Sequence, residues 1–137
     1  MGWGARKPVQ IHNEIAPLRR VVVHEPGDEI VQMTHWDLER LLFDDLLSPT
    51  ETAREHRLMA QMLSDAGAEV LELTELLAEA VTRAPQASLE QLVHRVCELA
   101  GARELAPRLA HWPAPALARG LVCGVHWREI QDVAPSL

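Results

Sequence analysis

The chain has 137 residues, enough for one ordinary domain with its own core, and 47% hydrophobic against 24% charged residues is the balance of a globular protein. A formal net charge of −7 argues against nucleic acid or an anionic membrane surface as partner. Residues 1–10 hold no apolar signal-peptide core, no run approaches the roughly 18 apolar residues of a membrane span, and two cysteines, Cys97 and Cys123, make no disulfide framework, so the expectation is a soluble, reduced, cytoplasmic protein.

The first informative segment is residues 18–24, with Val21, Val22 and Val23 in a row between Pro17 and Pro26-Gly27. A short β-branched run so bounded reads as a strand, and being apolar on both faces it reads as a central one covered on both sides. Residues 33–40 read as a short helical turn leading into Leu41-Leu42-Phe43-Asp44-Asp45-Leu46-Leu47, where two adjacent acids interrupt an apolar run. Buried acids are costly unless paired, so this is a place where chain chemistry and simple packing conflict.

Ser48-Pro49-Thr50-Glu51 has the form of a capping box with Pro at the first helical position. The helix it opens carries a stripe of Ala53, His56, Met59, Met62, Leu63 and Ala66, and Gly67 stops it. Residues 68–73 read as a second strand, and Thr74 as the cap of a helix that runs to Arg83 and ends before Pro85. Ser88 is then expected to cap a helix with a stripe of Leu89, Leu92, Val93, Val96, Leu99 and Ala100, stopped by Gly101. Pro107, Pro113 and Pro115 break the remainder of the chain into short pieces: a helix from Pro115 to Cys123 stopped by Gly124, one turn at 126–130, and a tail at 132–137. The outline is an α/β start and then a helical cluster. Two or three strands are few for an independent sheet, and their open edges call for a larger assembly.

Chemical motifs are sparse. His12, His24, His35 and His56 show no metal-ligand spacing, and no metal site is expected. His56 falls on the apolar stripe of its helix and reads as a buried histidine bonded to a backbone group, while His94 falls on a polar face and reads as solvated. Cys97 and Cys123 lack a neighbouring base or a Gly-rich exposed turn and read as small buried hydrophobes. No phosphate-binding glycine loop is present, and the tryptophans are not interleaved with basic clusters.

What remains is a constellation in order. Glu14-Ile15-Ala16-Pro17-Leu18-Arg19-Arg20-Val21-Val22-Val23-His24-Glu25-Pro26-Gly27 resembles the opening of arginine deiminases, S-E-I-G-x-L-K-x-V-hydrophobic-H-R-P-G. Leu41 to Asp45 is similar to the family's L-L-F-D-D, and Ala53-Arg54-Glu55-His56 to the segment of the family's next helix that ends in E-H. The stretch 117–125 resembles the L-hydrophobic-x-G-hydrophobic pattern near the end of the family's helical insertion. Asn13, Ala16 and Glu25 depart from the usual Ser, Gly and Arg, and the last replaces a cation with an anion.

The resemblance implies a partial α/β propeller of the pentein kind, its start in residues 1–85 and part of a helical insertion in 86–137, with the rest of the enzyme missing. It implies hydrolysis of L-arginine to L-citrulline and ammonia by a cysteine thiolate, with a histidine as general acid and base, carboxylates gripping the guanidinium, and no cofactor. The P-N-x-x-F-T-R-D segment, the histidine and the cysteine of that chemistry belong after Leu137, so no catalytic residue is expected in this chain and the chain alone is expected to be inactive. Leu42 matches a pocket-lining position, and Asp44 and Asp45 are candidates for the same substrate rim. The implied partners are L-arginine and the missing C-terminal part, and family precedent points to homo-oligomers. The alternatives are another guanidine-modifying enzyme of the same fold, such as an amidinotransferase, against which Phe43-Asp44-Asp45 speaks, and a non-catalytic binding or regulatory module.

Overall fold

The computed structural model describes residues 11, 13 and 15–131, so His12 and the tail expected at 132–137 lie outside the described residues. In chain order the elements are β1 (Arg20–Val23), α1 (Asp28–Val31), α2 (His35–Leu41), α3 (Pro49–Asp65), β2 (Glu69–Glu72), α4 (Leu73–Arg83), α5 (Gln86–Leu99), a 3-10 turn (Arg103–Leu105), α6 (Ala106–Leu109), α7 (Ala114–Cys123) and α8 (Trp127–Gln131). β1 and β2 pair in parallel, Val21 opposite Val70 and Val23 opposite Glu72. Parallel neighbours need a long crossover, and α3 supplies it. The chain is thus mostly helical with a small two-stranded sheet, compatible with the α/β class.

The sheet corrects one expectation. β1 is not a central strand covered on both faces: among the described residues it has one neighbour, and Val22 is 51% exposed while Val21 and Val23 are half-buried. β-branched side chains favour extended backbone on either face, so the valine run reports the strand and not how many faces are covered.

The helix ends obey local chemistry. Ser48 Oγ accepts from the Glu51 N–H at 3.4 Å, with Pro49 in the first turn. The Glu51 carboxylate turns to Arg54 (3.0 Å to its Nε). Gly67 (φ 92°) and Gly124 (φ 86°) end α3 and α7 in the left-handed region, where a Cβ is disfavoured. Two expected caps fall inside helices. α4 opens at Leu73, ahead of Thr74, and α5 opens at Gln86, because the Pro85 carbonyl already accepts from the Ser88 N–H at 2.9 Å. Proline carries a φ suited to a helix entry and so starts the turn three residues before Ser88.

The core lies in the helical half. Leu89, Val93 and Cys97 of α5 meet Val81 of α4, Ala106 and Leu109 of α6, Ala110, and Leu117 of α7. Gly120 lets α7 approach closely, since a Cβ there would sit 3.0 Å from Val125 Cγ2 and 3.5 Å from the Trp112 ring. The expected stripes are only partly used. Leu92, Val96 and Leu99 of α5, and Met59 and Met62 of α3, are exposed, and α3 buries no residue fully.

Candidate functional site

The carboxyl ends of β1 and β2 open onto a cleft of about 1080 Å³. In parallel sheets this end gathers the strand-to-helix turns, which is where α/β proteins place their chemistry. Here the β1–α1 turn supplies His24 to Asp28, β2 and the start of α4 supply Glu72 and Thr74, α3 supplies His56, and α7 supplies Arg119 and Cys123.

His24 is the centre of the arrangement. Its Nδ1 lies 3.2 Å from Glu72 Oε1 and its Nε2 lies 3.1 Å from Glu29 Oε1. Glu72 is itself held by the Glu25 N–H, at 3.3 and 3.2 Å to its two oxygens, and by Thr74 Oγ1 at 3.3 Å. Glu29 Oε1 also accepts from the Gly27 N–H at 2.9 Å, whereas Glu29 Oε2 is buried with no hydrogen-bond partner. Burial pushes the Glu29 carboxyl up, but the Gly27 N–H and the facing Cys123 and His24 outweigh it, and the group lies below its usual value. Burial, and then the neighbouring Glu29, push the Cys123 thiol up to about 11.

His24, Glu29 and Cys123 each offer a ligand atom, all within 4.8 Å of one another. Sequence spacing alone misses this group. His24 and Glu29 are five residues apart across a turn, and Cys123 arrives from the far end of the chain. The expectation that Cys123 is merely a small hydrophobe is corrected: it is half-buried and faces a carboxylate. Cys97 meets its expectation, buried in the core with its thiol raised by burial and then by Glu104. His56 does not: both ring nitrogens are buried without a hydrogen-bond partner, and the residue borders the cleft. His94 is exposed as expected.

Beside the cleft, Arg119 pairs with both Asp28 of α1 and Glu129 of α8. The Glu129 and Asp28 carboxylates raise the Arg119 guanidinium, and Arg119 with the His126 N–H lowers the Glu129 carboxyl.

The family model described as Arginine deiminase matches residues 39–118, more than half of the chain. The chain belongs to the arginine deiminase family. Arginine deiminases of Streptococcus pneumoniae strains Hungary19A-6 and CGSP14, and of serotype 19F strain G54, are each 44% identical to it over 75 residues. That stretch is 55% of this chain and 18% of each relative, so the match spans under a fifth of the length of these relatives.

Against the arginine deiminase pattern, Asn13 in place of Ser keeps a turn-forming acceptor, its Oδ1 taking the Ile15 and Ala16 N–H groups at 3.2 and 2.7 Å. Glu25 in place of Arg finds a cation in Arg57 of α3, 2.8 Å away. The segment with Leu42, Asp44 and Asp45 joins α2 to α3 and does not line the cleft. Leu42 is 92% exposed with φ 60°, and Asp44 and Asp45 are exposed, Asp45 Oδ1 accepting from the Leu46 N–H at 2.7 Å. The expected conflict is therefore reversed. The acids lie in solvent at no desolvation cost, and the unusual feature is the exposure of Leu41, Leu42, Phe43, Leu46 and Leu47 around them. None of the described helices is long and apolar enough to cross a membrane.

Proposed function

We propose that this chain supplies the N-terminal portion of an arginine deiminase, which hydrolyses L-arginine to L-citrulline and ammonia. In this reading the nucleophilic cysteine, the proton-transferring histidine and the carboxylates that grip the guanidinium come from polypeptide after Leu137. Residues 1–85 form the start of an α/β propeller and 86–137 part of its helical insertion, α4 carrying Val81 into the helical core. Leu42, Asp44 and Asp45 form part of the rim over the substrate, and the assembled enzyme acts in the cytoplasm without a cofactor.

The observation that carries the reading is the family match across residues 39–118 together with the state of its L-L-F-D-D segment. A run of apolar side chains in solvent around a residue with φ 60° has no purpose in an isolated domain. It is what a rim looks like when the facing surface belongs to another part of the enzyme.

The test mixes the purified chain with a polypeptide supplying the remainder of a deiminase, and measures citrulline released from L-arginine. Activity in the mixture and none from either component is the expected result. A stable complex with no citrulline rejects the deiminase reading in favour of another guanidine substrate, and activity from this chain alone refutes the absence of catalytic residues.

A further inference from the structure

We infer that His24, Glu29 and Cys123 form a binding site for a thiophilic divalent cation of the zinc class, independent of the deiminase reading. The three groups come from different places, the end of β1, α1 and the last turn of α7, and meet at the wall of the cleft with their ligand atoms within 4.8 Å of one another. Imidazole, carboxylate and thiolate together are a zinc-type donor set, and three protein ligands leave a fourth tetrahedral position for water.

The two carboxylates around His24 suit a cation at this position. A neutral imidazole has a single N–H, yet both ring nitrogens face carboxylates, Nδ1 at 3.2 Å from Glu72 and Nε2 at 3.1 Å from Glu29. If Nδ1 donates to Glu72, the geometry at Nε2 is met either by a second ring proton or by a metal ion between Nε2 and Glu29, and the nearby Cys123 favours the metal ion. A carboxylate on the distal nitrogen of a metal-bound histidine is the usual supporting arrangement, and Glu72 is already fixed for it by the Glu25 N–H and Thr74 Oγ1. Glu29 Oε1, 3.1 Å from His24 Nε2, is the oxygen placed to share an ion with that nitrogen, and Glu29 Oε2 beside it is buried with no hydrogen-bond partner. Two ligands about 2.0–2.1 Å from one tetrahedral ion lie roughly 3.3 Å apart, close to the His24–Glu29 separation. Cys123 Sγ lies within 4.8 Å of both ligand atoms and completes the set on closing to bonding distance. Such an ion would tie the helical core, through α7, to the sheet, which otherwise shares few buried side chains with it.

The experiment titrates the full chain, freed of metal by a chelator, with cobalt(II) and then zinc(II). One equivalent of cobalt is expected to give a thiolate charge-transfer band in the near ultraviolet that zinc bleaches. Cys123→Ser should abolish the band, His24→Ala and Glu29→Gln should weaken zinc binding by about tenfold or more, and Cys97→Ser should leave both unchanged. X-ray absorption of the zinc-loaded unsubstituted chain reads the ligands without any variant, and one sulfur among nitrogen and oxygen ligands is expected. No saturable uptake, a zinc shell without sulfur, or binding untouched by Cys123→Ser and His24→Ala (an adventitious ion only) overturns the assignment.

Discussion

Leu42 shows how a single residue can work against the fold that carries it. A β-branched or γ-branched side chain in the left-handed region costs about 1–2 kcal/mol, and at 92% exposure Leu42 recovers almost none of it by burial. Leu42→Gly relieves that strain and loses about 0.5–1 kcal/mol through the freer unfolded chain, so the isolated chain is expected to gain up to about 1 kcal/mol in urea unfolding. In the complemented deiminase assay the same variant should raise KM if Leu42 belongs to the proposed substrate rim. Loss of stability on this change would show that Leu42 packs in solution. The opposite case is Leu117, 1% exposed in the middle of the helical core, where Leu117→Ala should cost about 2–5 kcal/mol. Met62→Ala, at a site 72% exposed, should stay within about 0.5 kcal/mol, and the two unfolding midpoints measured side by side check the ranking. Periodicity put Met62 on an apolar stripe as readily as it put Val93 on one. Only the location of the core separates such residues, and that is set by which helices meet, not by any helix alone.

At the scale of elements, the ends and joints carry the testable energetics. Ser48 satisfies the Glu51 N–H at the head of α3, and Ser48→Ala should cost about 1 kcal/mol in the midpoint of unfolding. The joint between α1, α7 and α8 is the Asp28–Arg119–Glu129 pairing. Because Arg119 lowers the folded Glu129 carboxyl below its usual 4.5, its contribution is present above about that pH and is lost as the pH falls through the lowered folded value. Glu129→Gln should therefore flatten the acid limb of a stability-against-pH curve below 4.5 and leave the limb above neutrality unchanged; a steeper acid limb would contradict the pairing. Much of the element order was legible: the valine run marked β1, Ser48-Pro49 the head of α3, and Gly67 and Gly124 the ends of α3 and α7. Thr74 and Ser88 misled as caps because Glu72 and Pro85 start the turns earlier, and a proline's φ outranks a hydroxyl three residues on. The cleft was not legible, since it needs the parallel pairing of β1 with β2 and the return of α7, contacts that no local pattern encodes.

On the scale of the whole molecule the chain has a core in one half and unmet surface in the other. Among the described residues each strand of the two-stranded parallel sheet has an open edge, and unpaired edges are managed in proteins by covering or pairing them. In this half Ile15, Leu18, Val22, Leu42 and Met62 are exposed, while, apart from Ala68 and Ile130, the buried side chains cluster among α4 to α7. In the proposed function the rest of a deiminase, of which the matched stretch is 18% in each relative, would meet that surface. An apolar dye that fluoresces on exposed hydrophobic surface should therefore bind the chain alone and be displaced by the complementing polypeptide. Hydrogen exchange should then show new protection in β1, β2 and residues 41–47, with little change in Val93 and its neighbours, which are buried already. Protection confined to α5, where Leu92, Val96 and Leu99 also stand exposed, would mean that the remainder docks on the helical half, and the sheet edges would then need a different partner.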